Sequence, residues 1–556
     1  MTPAPLVLEL DLHTPLITAP PQDPLNAIRA RQRTQLTDVL EGLRRAANDP
    51  KVAGLIARCD SGAQPTSVVQ EIRAAVREFA QSGKPTVAWA QTFGEMAPGT
   101  IGYYTATAFD EIWLQPSGDV VLPGLNAPAL FLRGALDRLG LQPELAQRYE
   151  YKNAADMFTQ PGFTDAHREA LGRIVESTAD QIISEVATAR GIDRARLREL
   201  VDSSMIPADD ARSAGLVDRI GYRDDAYTEL AKRLGGRMRL RYVGRYNHAQ
   251  NKNQAVASYL QRKPARVAVI HGRGPVTTGR SSTNPLGSAT LGADTIGSAL
   301  RAAVKDESVR AIVFRVDSPG GSYVGSDTIR NDVRIARRSK PVIASLGSVA
   351  GSGGYFVTMC SDAVVASPAT ITGSIGVLAG KFASQNLLDR LGVAIERVSV
   401  GAQADMFEAE QSYSEEQWEI LNRWLDRVYE DFTAKVAVDR GLSREHVEGV
   451  ARGRIWTGAD AYERGLVDEL GGLATAIQIA RDRAGLPRRD DLADVQMFPR
   501  VPFVERLKPP ENSQSPANAG VSIRPWGSLT HLATALGLPA AGPLTMPFWT
   551  GGTFQG

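Results

Sequence analysis

The sequence predicts an α/β protein made of two diverged copies of one α/β unit, each carrying a long helical extension. Three observations predict it. The chain has 556 residues, more than one hydrophobic core usually supports. Short strings recur at a nearly constant offset. Each half alternates apolar runs with amphipathic stretches, the pattern of a largely parallel sheet covered by helices.

The recurrences run along the whole body. Ala-Gly-Leu-Val-Asp at 214–218 returns as Arg-Gly-Leu-Val-Asp at 464–468, Arg190-Gly191-Ile192 as Arg440-Gly441-Leu442, and Ala155-Asp156-Met157-Phe158 as Ala404-Asp405-Met406-Phe407. Upstream, Arg58-x-Asp60-Ser61 pairs with Arg315-x-Asp317-Ser318, and Tyr103-Tyr104 with Tyr355-Phe356. Small drifts in offset are what loop insertions produce. Each copy reads as an apolar strand (52–57; 309–316), an amphipathic helix (67–81; 326–338), a strand after Lys-Pro (86–90; 342–346) and a Gly-rich turn into a helix. A long amphipathic helix follows in each, at 165–190 and 414–440. The expected domains are an N-terminal repeat at 1–244, a polar linker at 245–263, a C-terminal repeat at 264–490 and a flexible Pro/Gly-rich tail at 491–556.

Sixty-three basic and sixty-two acidic side chains leave a net charge of +1, so no overall field favours nucleic acid or an anionic membrane surface. Cys59 and Cys360 lie far apart without metal-ligand spacing, so neither a disulfide framework nor a structural zinc is expected. The N-terminal residues alternate like a strand and show neither a signal peptide nor an anchor. No stretch reads as a membrane span of about 20 apolar residues. A soluble or at most peripherally bound protein is expected, with Pro547, Phe548 and Trp549 as a possible membrane or partner contact.

The chemistry is expected in the second copy. Asp317-Ser-Pro-Gly-Gly-Ser322 follows one strand and Gly351-Ser352-Gly353-Gly354-Tyr355 the next. A serine at a strand-to-helix turn is expected to be exposed, beside backbone N–H groups that favour developing negative charge. A hydroxyl needs a base. Of the six histidines, His446 sits in a helix-start pattern and His531 in the tail, so a Ser-His-Asp triad is poorly supported. A lysine serves if burial keeps it neutral. The duplication points to one: Lys152 faces Gly401, Ser352 faces Thr100, Ser374 faces Leu122, and Gly320-Gly321 face Ala63-Gln64. One copy carries a base and the other a nucleophile, as a single site assembled across both would require.

Ser-Pro-Gly-Gly at 318–321, Ala-Gly-Ser-Gly-Gly-Tyr at 350–355, Thr-Gly-Ser-Ile-Gly at 372–376 and Tyr-Lys-Asn-Ala at 151–154 resemble the long, two-repeat form of the signal peptide peptidase A family, Ser/Lys peptidases of the ClpP/crotonase-type fold. The resemblance spans about residues 1–490. It implies Ser352 as nucleophile, Lys152 as general base, Ser374 as the residue orienting the lysine, and the N–H groups of Gly320 and Gly353 as an oxyanion hole. It also implies a homo-oligomer that hydrolyses cleaved signal peptides or other unstructured peptides, with no metal or organic cofactor. Two other readings are a crotonase-type acyl-CoA hydratase or thioesterase, which needs no nucleophilic serine, and a non-catalytic scaffold.

Overall fold

The structure is a computed structural model that describes residues 4–19, 33–60, 64–95, 97–258, 265–283, 289–488, 494–498, 520–521 and 544–546. In the first repeat, Leu6–Asp11, Val52–Arg58, Thr86–Ala90, Glu111–Leu114 and Arg219–Ile220 lie side by side in a parallel sheet, with Arg239–Tyr242 outside Leu6–Asp11. The second repeat repeats this order. Arg266–Arg273, Val309–Ser318, Val342–Gly351, Ala363–Ala366 and Glu469–Leu470 follow one another in parallel, with Val495–Phe498 outside Arg266–Arg273.

Both faces of each sheet are covered, which is why its strands are near-continuous apolar runs. In the second repeat, Ile312, Phe314 and Ala344 pack on one side beneath helices Ala293–Lys305, Tyr323–Arg337 and Glu415–Arg440. Val313 and Ile343 pack on the other beneath Ala476, Ile477 and Ala480 of helix Leu473–Arg483. The duplication extends to individual hydrogen bonds. Arg190 donates to Gly215 O at 2.9 Å and pairs with Asp218, as Arg440 donates to Gly465 O at 3.2 Å and pairs with Asp468. Tyr103 donates to Leu216 O at 2.8 Å and Tyr355 to Leu466 O at 2.9 Å. The long helices span Asp165–Arg190 and Glu415–Arg440, 26 residues each, both closed by a left-handed glycine.

Two sequence expectations need correction. The polar run expected as a linker begins inside a helix, Val243–Ser258, that lies against helix Leu36–Asn48. Buried Asn247 donates to Asp38 and Glu41 at 3.0 and 2.8 Å, and Tyr246 donates to Asp49. The stretch expected as a loose tail also contains ordered contributions: Val495–Phe498 extends the sheet, and Leu544–Thr545 pairs antiparallel with Gly320–Gly321.

Candidate active site

The second repeat brings Ser352 to the site on a long strand. Val342–Gly351 has ten residues against five in its counterpart Thr86–Ala90, and its last three pair with Ile371–Gly373. The strand ends abruptly at Ser352, whose φ of 54° and ψ of −116° lie outside the regions an L-residue ordinarily adopts. Such backbone strain persists only where its surroundings impose it. Here Ser352 N donates to Gly373 O at 2.8 Å, and a single helical turn, Gly353–Phe356, follows. The hydroxyl expected to be exposed is fully buried, because segments distant in sequence close over it. Ser374, also buried and with a φ of 51°, is fixed by its N–H donating to Arg454 O at 2.7 Å.

The first repeat brings Lys152 in on a ribbon. Gln142–Gln147 pairs antiparallel with Leu378–Ala383 of the second repeat, and Arg148 N donates to Val377 O at 2.9 Å. Tyr149 then stacks obliquely on Tyr429, with ring centroids 4.8 Å apart, and Glu150 pairs with Arg452 at 2.9 Å. Immediately before the lysine, Tyr151 donates to Glu169, which also pairs with Arg454. Gly453 completes the seat: a Cβ there would lie 2.4–2.5 Å from the Lys152 backbone and Cβ, so only glycine admits this approach.

The Lys152 side chain is fully buried, with Nζ 2.9 Å from Ser352 Oγ, 3.0 Å from Ser374 Oγ and 3.1 Å from Ser374 O. Burial pushes its ammonium well below the ordinary lysine range, with no carboxylate among the described residues opposing. A neutral amine offers two N–H donors and one lone pair. The Ser374 carbonyl can only accept, so it takes one N–H; Ser374 Oγ can take the other, which leaves the lone pair for the Ser352 hydroxyl. That arrangement can draw a proton from Ser352.

The two glycines expected at an oxyanion hole are adjacent, for a Cβ on Gly320 would meet Gly353 N at 2.7 Å. The Gly320 N–H itself donates to Ser318 Oγ at 3.2 Å. Of the histidines considered as bases, His446 has another engagement, its Nε2 lying 2.9 Å from Arg464 O, while His531 lies outside the described residues. Among the described residues, no group of three or more His, Cys, Asp or Glu side chains could hold a metal ion.

The sequence profile of Peptidase family S49 matches residues 78–236 and 334–487. The chain belongs to this family. It is 30% identical over 465 residues to the chloroplastic serine protease SPPA of Arabidopsis thaliana, covering 83% of this chain and 68% of that protein. It is 31% identical to Protease 4 of Salmonella typhi (82% of this chain, 73% of that one). Protease 4 of Haemophilus influenzae matches at 28% identity, over 93% and 82% of the two chains. A ClpP1 mutant from Listeria monocytogenes aligns with 38% of this chain and 94% of its own at 14% identity, with a TM-score of 0.25. As a member of family S49 the protein is a serine peptidase, which sets aside the hydratase and scaffold readings.

Sequence reasoning missed the residues that seat the lysine. Gly453, Arg452 and Arg454 belong to the second repeat yet shape the ends of a first-repeat segment. The local signal was slight: an Arg-Gly-Arg run before a strand.

Proposed function

We propose that Ser352 is the nucleophile and Lys152 the general base of one peptidase site assembled across both repeats. The observation that carries this reading is the fully buried lysine whose Nζ, among the described residues, hydrogen-bonds only serine oxygens, 2.9 Å from Ser352 Oγ. Neutral Lys152 takes the Ser352 proton as Oγ attacks a peptide carbonyl, and the resulting ammonium returns it to the leaving amine. Water, deprotonated by the same amine, then releases the acyl group. Ser374 holds the lysine and, with the Ser352 hydrogen bond, fixes the direction of its lone pair. The Gly353 N–H, and that of Gly320 once turned from Ser318 Oγ, stabilise the tetrahedral oxyanion.

In this reading the repeat at 1–244 supplies the base and that at 264–490 the nucleophile. The unit is read as ClpP/crotonase-type, supported by the parallel strand order and by the glycine turns that follow two adjacent strands. Its substrates are cleaved signal peptides or other unstructured peptides. A fluorophosphonate should modify Ser352 in the folded protein, located by mass spectrometry of the digested chain; no adduct at Ser352 would overturn the assignment.

The protein is also read as a homo-oligomer. What supports this is a run of exposed apolar side chains from Leu391 to Phe407, with Val398 and Val400 nearly fully accessible; a second copy would cover them. Val398→Glu with Val400→Glu should then lower the mass measured by sedimentation, and an unchanged mass would contradict it. Among the described residues no helix is long and apolar enough to cross a membrane, which leaves peripheral contact as the proposed mode if the protein meets one.

A further inference from the structure

Ser352, Lys152 and Ser374 are all fully buried, although a peptidase must admit a peptide chain to its nucleophile. Three residues near the C-terminus lie against the glycines beside these side chains. Leu544–Thr545 adds antiparallel to Gly320–Gly321, with Gly321 opposite Leu544 and Gly320 opposite Thr545, and Met546 N donates to Pro319 O at 2.8 Å. This is the way a sheet edge takes up an extended peptide, by backbone bonds with alternate side chains directed into pockets.

The alternate side chains are both buried. Leu544 joins the core of the second repeat. Met546 enters an apolar pocket built by Ala170 and Ile174 from the first repeat's long helix and by Ile371 and Ile455 from the second repeat. Its Sδ lies 2.2 Å from where a Cβ of Gly351 would stand, and Leu544 O lies 1.9 Å from where a Cβ of Gly320 would stand. Those two glycines flank the site, one directly before Ser352 and the other beside Gly353. Both positions accept this strand only because they lack side chains.

We infer that residues 544–546 occupy the peptide-binding cleft as a tethered competitor of substrate, which must leave before a peptide can reach Ser352. The inference rests on the Ser352/Lys152 reading for what the cleft does, but the seat of the strand stands on its own contacts. The sequence after Met546 fits an occupant that is retained rather than cut. The next residue is Pro547, so acyl transfer at Met546 would have to expel a proline ring nitrogen, which carries no N–H and crowds the attack. Leu544 and Met546 also indicate that apolar side chains at alternate positions are what the cleft takes from a substrate.

Tethering gives a short segment a high effective concentration at its own cleft. Ejecting it with Met546→Asp in the full chain should therefore raise kcat/KM for a short apolar peptide by about tenfold, through KM, and accelerate fluorophosphonate labelling similarly. A chain ending at Gly542 should behave alike. The synthetic peptide Gly-Pro-Leu-Thr-Met-Pro, residues 542–547, should inhibit that shortened chain competitively and emerge uncut. Fluorescence anisotropy of the labelled peptide on the shortened chain carrying Ser352→Ala reads binding without catalysis. Binding there in an enzyme that hydrolyses nothing would leave this inference standing and remove the catalytic reading. Absent binding, cleavage of the chain after Met546, or unchanged KM and labelling rate in both variants would each overturn it.

Discussion

The same four residues, Ala-Asp-Met-Phe, stand at 155–158 in the first repeat and at 404–407 in the second, and they have opposite fates. In the first, Ala155, Asp156 and Phe158 are buried just beyond Lys152, and the Phe158 ring meets Phe382 edge-on at 5.3 Å. In the second, Met406 alone is buried and Phe407 is 84% exposed. The partner of Phe158 belongs to the other repeat. A duplicated string therefore keeps its sequence while its role is set by what the opposite repeat presents. The active-site strand shows the same asymmetry. Val342–Gly351 runs unbroken to Ser352, whereas Thr86–Ala90 stops short and Gln91–Gly99 intervene before Thr100. The first repeat has lost the strand end that strains and aims a hydroxyl, and has retained the ribbon that delivers a lysine.

Matched substitutions in the two repeats would break or sharpen this comparison. The largest contrast is expected between Ser352→Ala, which should lower kcat/KM by on the order of 10⁴-fold or more, and Thr100→Ala at the equivalent position, which should stay within about twofold. Comparable losses at both would mean that the first repeat has a working site of its own. Ser374→Ala should cost about 10- to 100-fold, part of what a general base contributes, since the lysine keeps its carbonyl partner; its equivalent Leu122→Ala should change stability and not the chemical step. A Ser374→Ala loss as large as that of Ser352→Ala would show that the residue does more than orient.

Smaller effects should appear in stability. Phe158→Ala should cost about 3 kcal/mol, as expected for a buried aromatic, while Phe407→Ala should stay within about 0.5 kcal/mol, both read from denaturant unfolding. Equal costs would contradict the different burial of the two strings. Lys152→Met should raise Tm by about 2 °C or more, because the folded chain refuses a proton that the unfolded chain binds. That penalty exists below the ordinary lysine pKa and grows as pH falls toward the depressed folded value, so the gain should be larger at pH 7 than at pH 10. A gain that grew with pH would have the wrong sign for a lysine buried neutral.

Much of the fold was legible because its signals are local. The strand at 86–90 and the helix at 165–190 are bounded in the structure as their apolar periods imply, and the pairing of Lys152 with Ser352 followed from what each repeat lacks. The misreadings share one physical cause. Asn247 looks like linker material until Asp38 and Glu41 are seen to accept from it. Ser352 looks exposed until Lys152, 200 residues earlier, is seen against its hydroxyl, with Met546 against the preceding Gly351. In each case the partner is remote in sequence, and no composition or period within the segment records it.

A single site shared between the repeats requires that the reactivity of Ser352 depend on the proton of Lys152. The most direct measurement is the rate of Ser352 acylation by a fluorophosphonate as a function of pH, in the wild type, Lys152→Ala and Lys152→Arg. The wild-type rate should fall as pH is lowered through one ionisation well below the ordinary lysine value, since the ammonium cannot take the serine proton. Both variants should be slower by at least about 10²-fold, without that ionisation, arginine failing because it stays charged. Acylation of a folded Lys152→Ala protein at the wild-type rate and with the wild-type pH profile would contradict the account.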